Sequence, residues 1–193
     1  MFFGGKTNPN LEQFSKALSE SVAKMFYERN EIKFSQDPVI EKRNIIEYNG
    51  MMRADGMEKF NEPTFISYIN YFNNVNDMEK KKAIGGIVIY IEQTNVTDLL
   101  KLLKYPLADD EDLEALADCC GTLCNIIAGA FKTEISKMGY IELEMSHFTS
   151  YRNRAVVGAP FSYNEREKYE LSFFIKRKKS LVIDMTMGVV PKR

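Results

Sequence analysis

The run Asp109–Lys137, DDEDLEALADCCGTLCNIIAGAFKTEISK, decides how this chain is read. Placed on a helix at about 100° per residue, it gives one continuous apolar wall: Leu113, Leu116, Cys120, Leu123, Cys124, Ile126, Ile127, Phe131 and Ile135. The remaining wedge, roughly a third of the circumference, holds Asp118, Gly121, Thr122, Asn125, Gly129, Lys132, Thr133 and Ser136. Two glycines inside a helix each cost about 1 kcal/mol relative to alanine. Their position beside polar groups predicts that another backbone or a partner surface comes close there. The acidic residues Asp109, Asp110, Glu111 and Asp112 stand at the helix N-terminus, where the macrodipole favours negative charge, and read as capping residues.

Working outward, an N-terminal helix follows Asn10, its expected cap, with Leu11, Phe14, Leu18, Val22, Met25 and Phe26 at spacings of three and four. Short strand-like pieces lie around Ile32–Phe34 and Asn44–Met52, and Asp55–Glu62 is less regular. Thr64–Phe72 and Ile84–Glu92, rich in β-branched and aromatic residues, read as a hairpin with a long polar loop. Thr94 or Thr97 opens a short helix that ends before Tyr105-Pro106. Gly139 stops the long helix. Ile141–Ser146 alternates as a strand, and Tyr169–Lys176 with Ser180–Met187 forms a closing hairpin whose turn is the basic run Lys176–Lys179. About three helices and six or seven strands result, mostly joined as hairpins. The fold class expected is α/β in the α+β sense: one antiparallel sheet with long helices packed on one face.

Composition limits the function. The 193 residues suit one domain, and a net charge of −1 without a basic face argues against nucleic acid as the main partner. No apolar segment is read as approaching a membrane span or a secretion core, so a cytoplasmic protein with no membrane contact is expected. Cys119, Cys120 and Cys124 cluster on one helix, as in no disulfide framework. With one histidine, His147, far along the sequence, they lack the ligands for a metal site.

The run Asp118-Cys-Cys-Gly-Thr122-Leu-Cys-Asn125-Ile-Ile-Ala-Gly129-Ala-Phe-Lys132-Thr133 resembles the signature helix of the CheC/CheX/FliY phosphatases of bacterial chemotaxis. In that family the pattern is Asp or Ser, three residues, Glu, two residues, Asn, often continuing as Ile-Ile-Ala-Gly and Lys-Thr. Ile84–Thr94 and the helix after it are also similar, and the likeness runs from about Phe65 to Met187. A single signature helix is most similar to the CheX branch, whose members are homodimers. Residues 31–62 then read as an inserted or elaborated region of one 1–193 domain.

The resemblance implies docking on a phosphorylated CheY-like response-regulator receiver domain. The family Glu pairs with a receiver lysine, the Asn orients water at the aspartyl phosphate, and Mg²⁺ sits on the receiver, with no cofactor on this chain. Asn125 and Asp118 match; Thr122 replaces the Glu, and threonine cannot make that ion pair. Gly121, Gly129 and Lys132 are the expected partner-binding positions. The family's proline in the following strand is absent, and His147 is a candidate polar contact there. Three functions follow: aspartyl-phosphate phosphatase, non-catalytic receiver-binding adaptor, or structural homodimer of the same fold.

Overall fold

The computed structural model describes residues 7–106 and 112–193. In chain order its elements are α1 (Leu11–Asn30), β1 (Val39–Asn44), β2 (Glu47–Tyr48), β3 (Met51–Asp55), α2 (Gly56–Phe60), β4 (Thr64–Phe72), α3 (Val75–Glu79) and β5 (Gly85–Glu92). There follow α4 (Gln93–Leu102), α5 (Leu113–Lys137), β6 (Glu144–Met145), β7 (Thr149–Tyr151), β8 (Val156–Ala159), β9 (Glu167–Ile175) and β10 (Lys178–Met187). An antiparallel seven-stranded sheet runs β1-β9-β10-β5-β4-β6, with β7 also pairing with β4. A second, three-stranded sheet runs β2-β3-β8.

The expected antiparallel sheet with helices on one face is present. Alternation along the strands sends Phe65, Ile69, Ile87, Ile89, Leu171, Phe173, Leu181 and Ile183 toward α1, α4 and α5, where they meet Phe14, Leu18, Leu123, Ile127 and Phe131 in one core. The opposite face is covered as well: Ile66, Val88, Tyr90 and Val182 pack against Met52, Ala54, Val157 and Ala159. The pieces near Asn44–Met52 therefore build a cover for the second face, in which the irregular Asp55–Glu62 becomes α2. Ile32–Phe34 forms no strand; Phe34 instead stacks between Phe26 and Phe173.

Several local expectations shift. Asn10 does not cap α1 with its side chain; the Asn8 side chain accepts from the Asn10 N–H instead. Neither Thr94 nor Thr97 starts α4, which begins at Gln93. Asp112 does cap α5, accepting from the Glu114 and Ala115 N–H groups, while Asp109, Asp110 and Glu111 lie outside the described residues. Gly139 stands just beyond α5 with φ of +90°, as a helix stop requires. Only Glu144–Met145 of Ile141–Ser146 pairs as strand, because Ile141 turns to hydrogen-bond the Pro191 carbonyl. Of the basic run only Lys176 and Arg177 form the β9–β10 turn, both at positive φ, while Lys178 and Lys179 already pair within β10. Contrary to the expectation that no segment approaches a membrane span, α5 is long and apolar enough to cross a membrane by length and composition alone. That apolarity is spent on the core, where Leu116, Leu123, Cys124, Ile127, Phe131 and Ile135 are buried.

Between the two sheets lies a charged cluster. Asp184 is fully buried; Lys59 donates to its Oδ1 at 3.1 Å, and Lys168 and Tyr90 donate to its Oδ2, each at 2.7 Å. Lys59 also donates to Glu170. Burial alone would raise the Asp184 carboxyl, but the Lys168 and Lys59 charges and the hydrogen bonds outweigh it and hold its pKa below the usual value. Removing one member of such a cluster strands the others.

Because the folded pKa of Asp184 is depressed, its contribution is complete above the unfolded-state value of about 4. It is lost as pH falls through the lowered folded value. Chemical denaturation should show stability declining below about pH 4. Asp184→Asn should cost about 3–5 kcal/mol at pH 7, by leaving two ammonium groups short of a counter-charge, and should weaken the acid decline. Wild-type stability in that variant would show that the cluster does not depend on Asp184.

Candidate functional site

The back of α5 is anchored to β4. The Tyr71 hydroxyl donates to the Ala128 carbonyl at 2.9 Å, and the Cys124 thiol donates to the Ser67 carbonyl at 3.6 Å. The Tyr71 and Phe131 rings meet edge to face at 5.9 Å. These contacts fix the rotation of the helix about its axis, and so decide what its other side presents.

That side presents Asp118, Thr122 and Asn125, all exposed. Their separations of four and three residues align them on one stripe, about 6 and 4.5 Å apart along the axis. Among the described residues, none gives these three side chains a hydrogen bond or ion pair. The stripe is bracketed at both ends. Glu114 accepts from Arg152 at 3.2 Å near the start of α5, and Lys132 pairs with Glu142 at 3.4 Å toward its end.

The other expected site residues have different surroundings. Gly121 is buried, and a Cβ there would run into the Phe148 ring. The close approach expected from its sequence position is thus intramolecular, and Gly121 is not open to a partner. Gly129 is half-buried and has open space where a Cβ would stand; Thr133 donates to its carbonyl at 3.0 Å. Lys132 pairs with Glu142, itself a largely exposed residue. His147 is exposed, next in sequence to Phe148. The bracketing residues Arg152, Glu142 and Phe148 carry no sequence signal that marks them for the site. Alternation puts Glu142 on a solvent face, but nothing local joins it to Lys132.

Burial raises the thiols of Cys120 and Cys124, and burial followed by the Asp118 charge raises that of Cys119. All three are free and protonated, acting as small apolar groups. Among the described residues there is no group of three or more His, Cys, Asp or Glu side chains placed to hold a metal ion. The arrangement offers a carboxamide, a hydroxyl and a carboxylate in line on a rigid helix face, suited to contact with another surface.

No protein-family model matches this chain, and no curated protein matches its sequence. Solved structures do match its fold. A putative chemotaxis protein from Desulfovibrio vulgaris Hildenborough aligns with a TM-score of 0.62 over 91% of this chain and 97% of its own, at 12% identity. A CheC-like superfamily protein from Shewanella sp. PV-4 aligns with a TM-score of 0.60 over 90% and 96%, at 14% identity. A CheX–CheY–BeF3–Mg²⁺ complex from Borrelia burgdorferi gives 0.50 over 91% and 97%, again at 14% identity. The chain has the CheC/CheX-like fold of the chemotaxis proteins.

The two glycines of α5 should behave oppositely. Gly129→Ala, with open space at Cβ, should stabilise by about 0.5–1 kcal/mol through helix propensity. Gly121→Ala should destabilise by about 1–3 kcal/mol, because the Phe148 ring must move. Urea unfolding of both variants checks the contrast, and a gain at both positions would contradict the Phe148 seat.

Proposed function

We propose that the exposed face of α5 docks on a phosphorylated CheY-like receiver domain and promotes hydrolysis of its aspartyl phosphate. The observation that carries this reading is the stripe Asp118–Thr122–Asn125, exposed and, among the described residues, without internal partners, on a helix locked to β4 from behind. The fold supports it, since one neighbour with this fold is a complex of CheX with CheY.

The chemistry asks little of the chain. An acyl phosphate already carries a good leaving group, and Mg²⁺ on the receiver neutralises developing charge. What remains is to place a water in line with the phosphorus. The Asn125 carboxamide suits that role, because its oxygen accepts from the water while its NH₂ donates to a phosphoryl oxygen. Thr122 adds a hydroxyl one turn earlier. Asp118 takes the anionic docking role of the family Glu from a point about 6 Å further along the helix, which shifts the docking pose. The chain then works in the cytoplasm, as a pair of identical subunits.

Thr122 favours a second reading, a receiver-binding adaptor that recognises the phosphorylated state without hydrolysing it, because the ionic anchor of the family is absent.

Decay of aspartyl phosphate on receiver domains from the source organism, with Mg²⁺ and with or without this protein, separates the two readings. The phosphatase reading expects accelerated decay that Asn125→Ala abolishes while the fold is kept, since alanine suits an exposed helix position. Thr122→Glu should raise both affinity and rate. Binding without acceleration would select the adaptor, and turnover unchanged by Asn125→Ala would remove that residue from the chemistry.

A further inference from the structure

The segment from Glu142 to Arg152 runs antiparallel alongside the exposed stripe of α5, and three contacts fix its register. Arg152 meets Glu114, Phe148 covers Gly121, and Glu142 meets Lys132. As the helix number rises the segment number falls, so the two run past each other without crossing. A helix advances about 1.5 Å per residue and an extended segment about 3.3 Å. Between Gly121 and Asn125 the helix therefore climbs about 6 Å, matched by about two residues of the segment, from Phe148 to Ser146. By the same rises Asn125 falls level with Ser146, and His147 falls between the levels of Thr122 and Asn125.

Ser146 is committed to the sheet: its hydroxyl accepts from the Asn70 N–H at 3.0 Å, and its own N–H donates to the Asn70 carbonyl at 2.9 Å. Phe148 is committed to the Gly121 seat. His147 lies between them, exposed, and no described residue hydrogen-bonds its ring. It is the one histidine of the chain.

We infer that His147 is a binding residue of the α5 site, donating a ring N–H to the phosphoryl oxygens of the docked receiver on the flank where Thr122 stands. This rests on the receiver-docking reading above and adds a residue from a different element to it. The site needs donors, because a phosphoryl group only accepts. Glu114 and Asp118 on the same stripe supply none, and Lys132, paired with Glu142, stands about 10 Å beyond Asn125 along the helix. An imidazole offers at least one N–H in either charge state. With Thr122 and Asn125 on the helix and His147 on the segment, the phosphoryl group is gripped from two sides.

The test is the affinity of His147→Ala for one receiver domain in its phosphorylated and unphosphorylated forms, by calorimetry with Mg²⁺ present. The inference expects about tenfold weaker binding to the phosphorylated form, in line with loss of one charge-assisted hydrogen bond. Binding to the other form should be unchanged, with partial recovery in His147→Gln, whose amide can still donate. An exposed position keeps the fold, which circular dichroism and urea unfolding verify. Equal affinity of wild type and His147→Ala for the phosphorylated form would overturn the inference while leaving receiver docking intact. A wild-type protein that binds no receiver at all would overturn both.

Discussion

What α5 shows to the outside is set by how it is seated on β4. A helix with so wide an apolar wall can sit on a sheet in several rotations at similar hydrophobic gain, since burial is non-directional. The Tyr71 hydroxyl at the Ala128 carbonyl and the Cys124 thiol at the Ser67 carbonyl remove that freedom. A hydroxyl buried with Tyr71 must find a partner or cost a few kcal/mol. Rotating α5 by one residue would strand it. The exposure of Asp118, Thr122 and Asn125 is therefore a consequence of contacts made on the other side of the helix.

The sheet is packed from both sides, and the two sides are built differently. Facing the helices, the contacts are nearly all apolar. Facing the small sheet, apolar contacts surround the Lys59–Asp184–Lys168 cluster, with Tyr90 beneath Lys59. Such a cluster adds little net stability compared with apolar groups of the same size. Its directional bonds do fix how α2 and its neighbour β3 lie across β9 and β10. Residues 31–62 contribute this cover together with β1 at the sheet edge, so they belong to the packing of the whole chain.

At the site the same economy applies. On the proposed reading no group there has to act as a nucleophile or as a tuned base, and burial raises the thiols of Cys120 and Cys124 beneath it. A phosphoryl-transfer partner that brings its own metal leaves only geometry to be supplied, and geometry is what a helix pinned from behind supplies.

The helices α1 and α5, the β4–β5 pairing and the β9–β10 hairpin are legible in the sequence, because each carries its own period of apolar residues and its own stop signals. Asp118, Thr122 and Asn125 are equally legible as one polar stripe, since residues three and four apart share a helix face whatever surrounds them. Gly121 and Gly129, by contrast, look alike on the helical wheel, and packing alone distinguishes the one filled from within by Phe148 from the one that stays open. Packing also joins Lys132 to Glu142, Arg152 to Glu114, and Lys59 to residues more than a hundred positions away. It turns the weakly patterned Asn44–Glu62 into the cover of a second face. Periodicity states which face of an element is apolar. Which element meets that face is settled by packing the whole chain at once, where a side chain's partner is fixed by space and hydrogen-bond satisfaction and not by its neighbours in sequence.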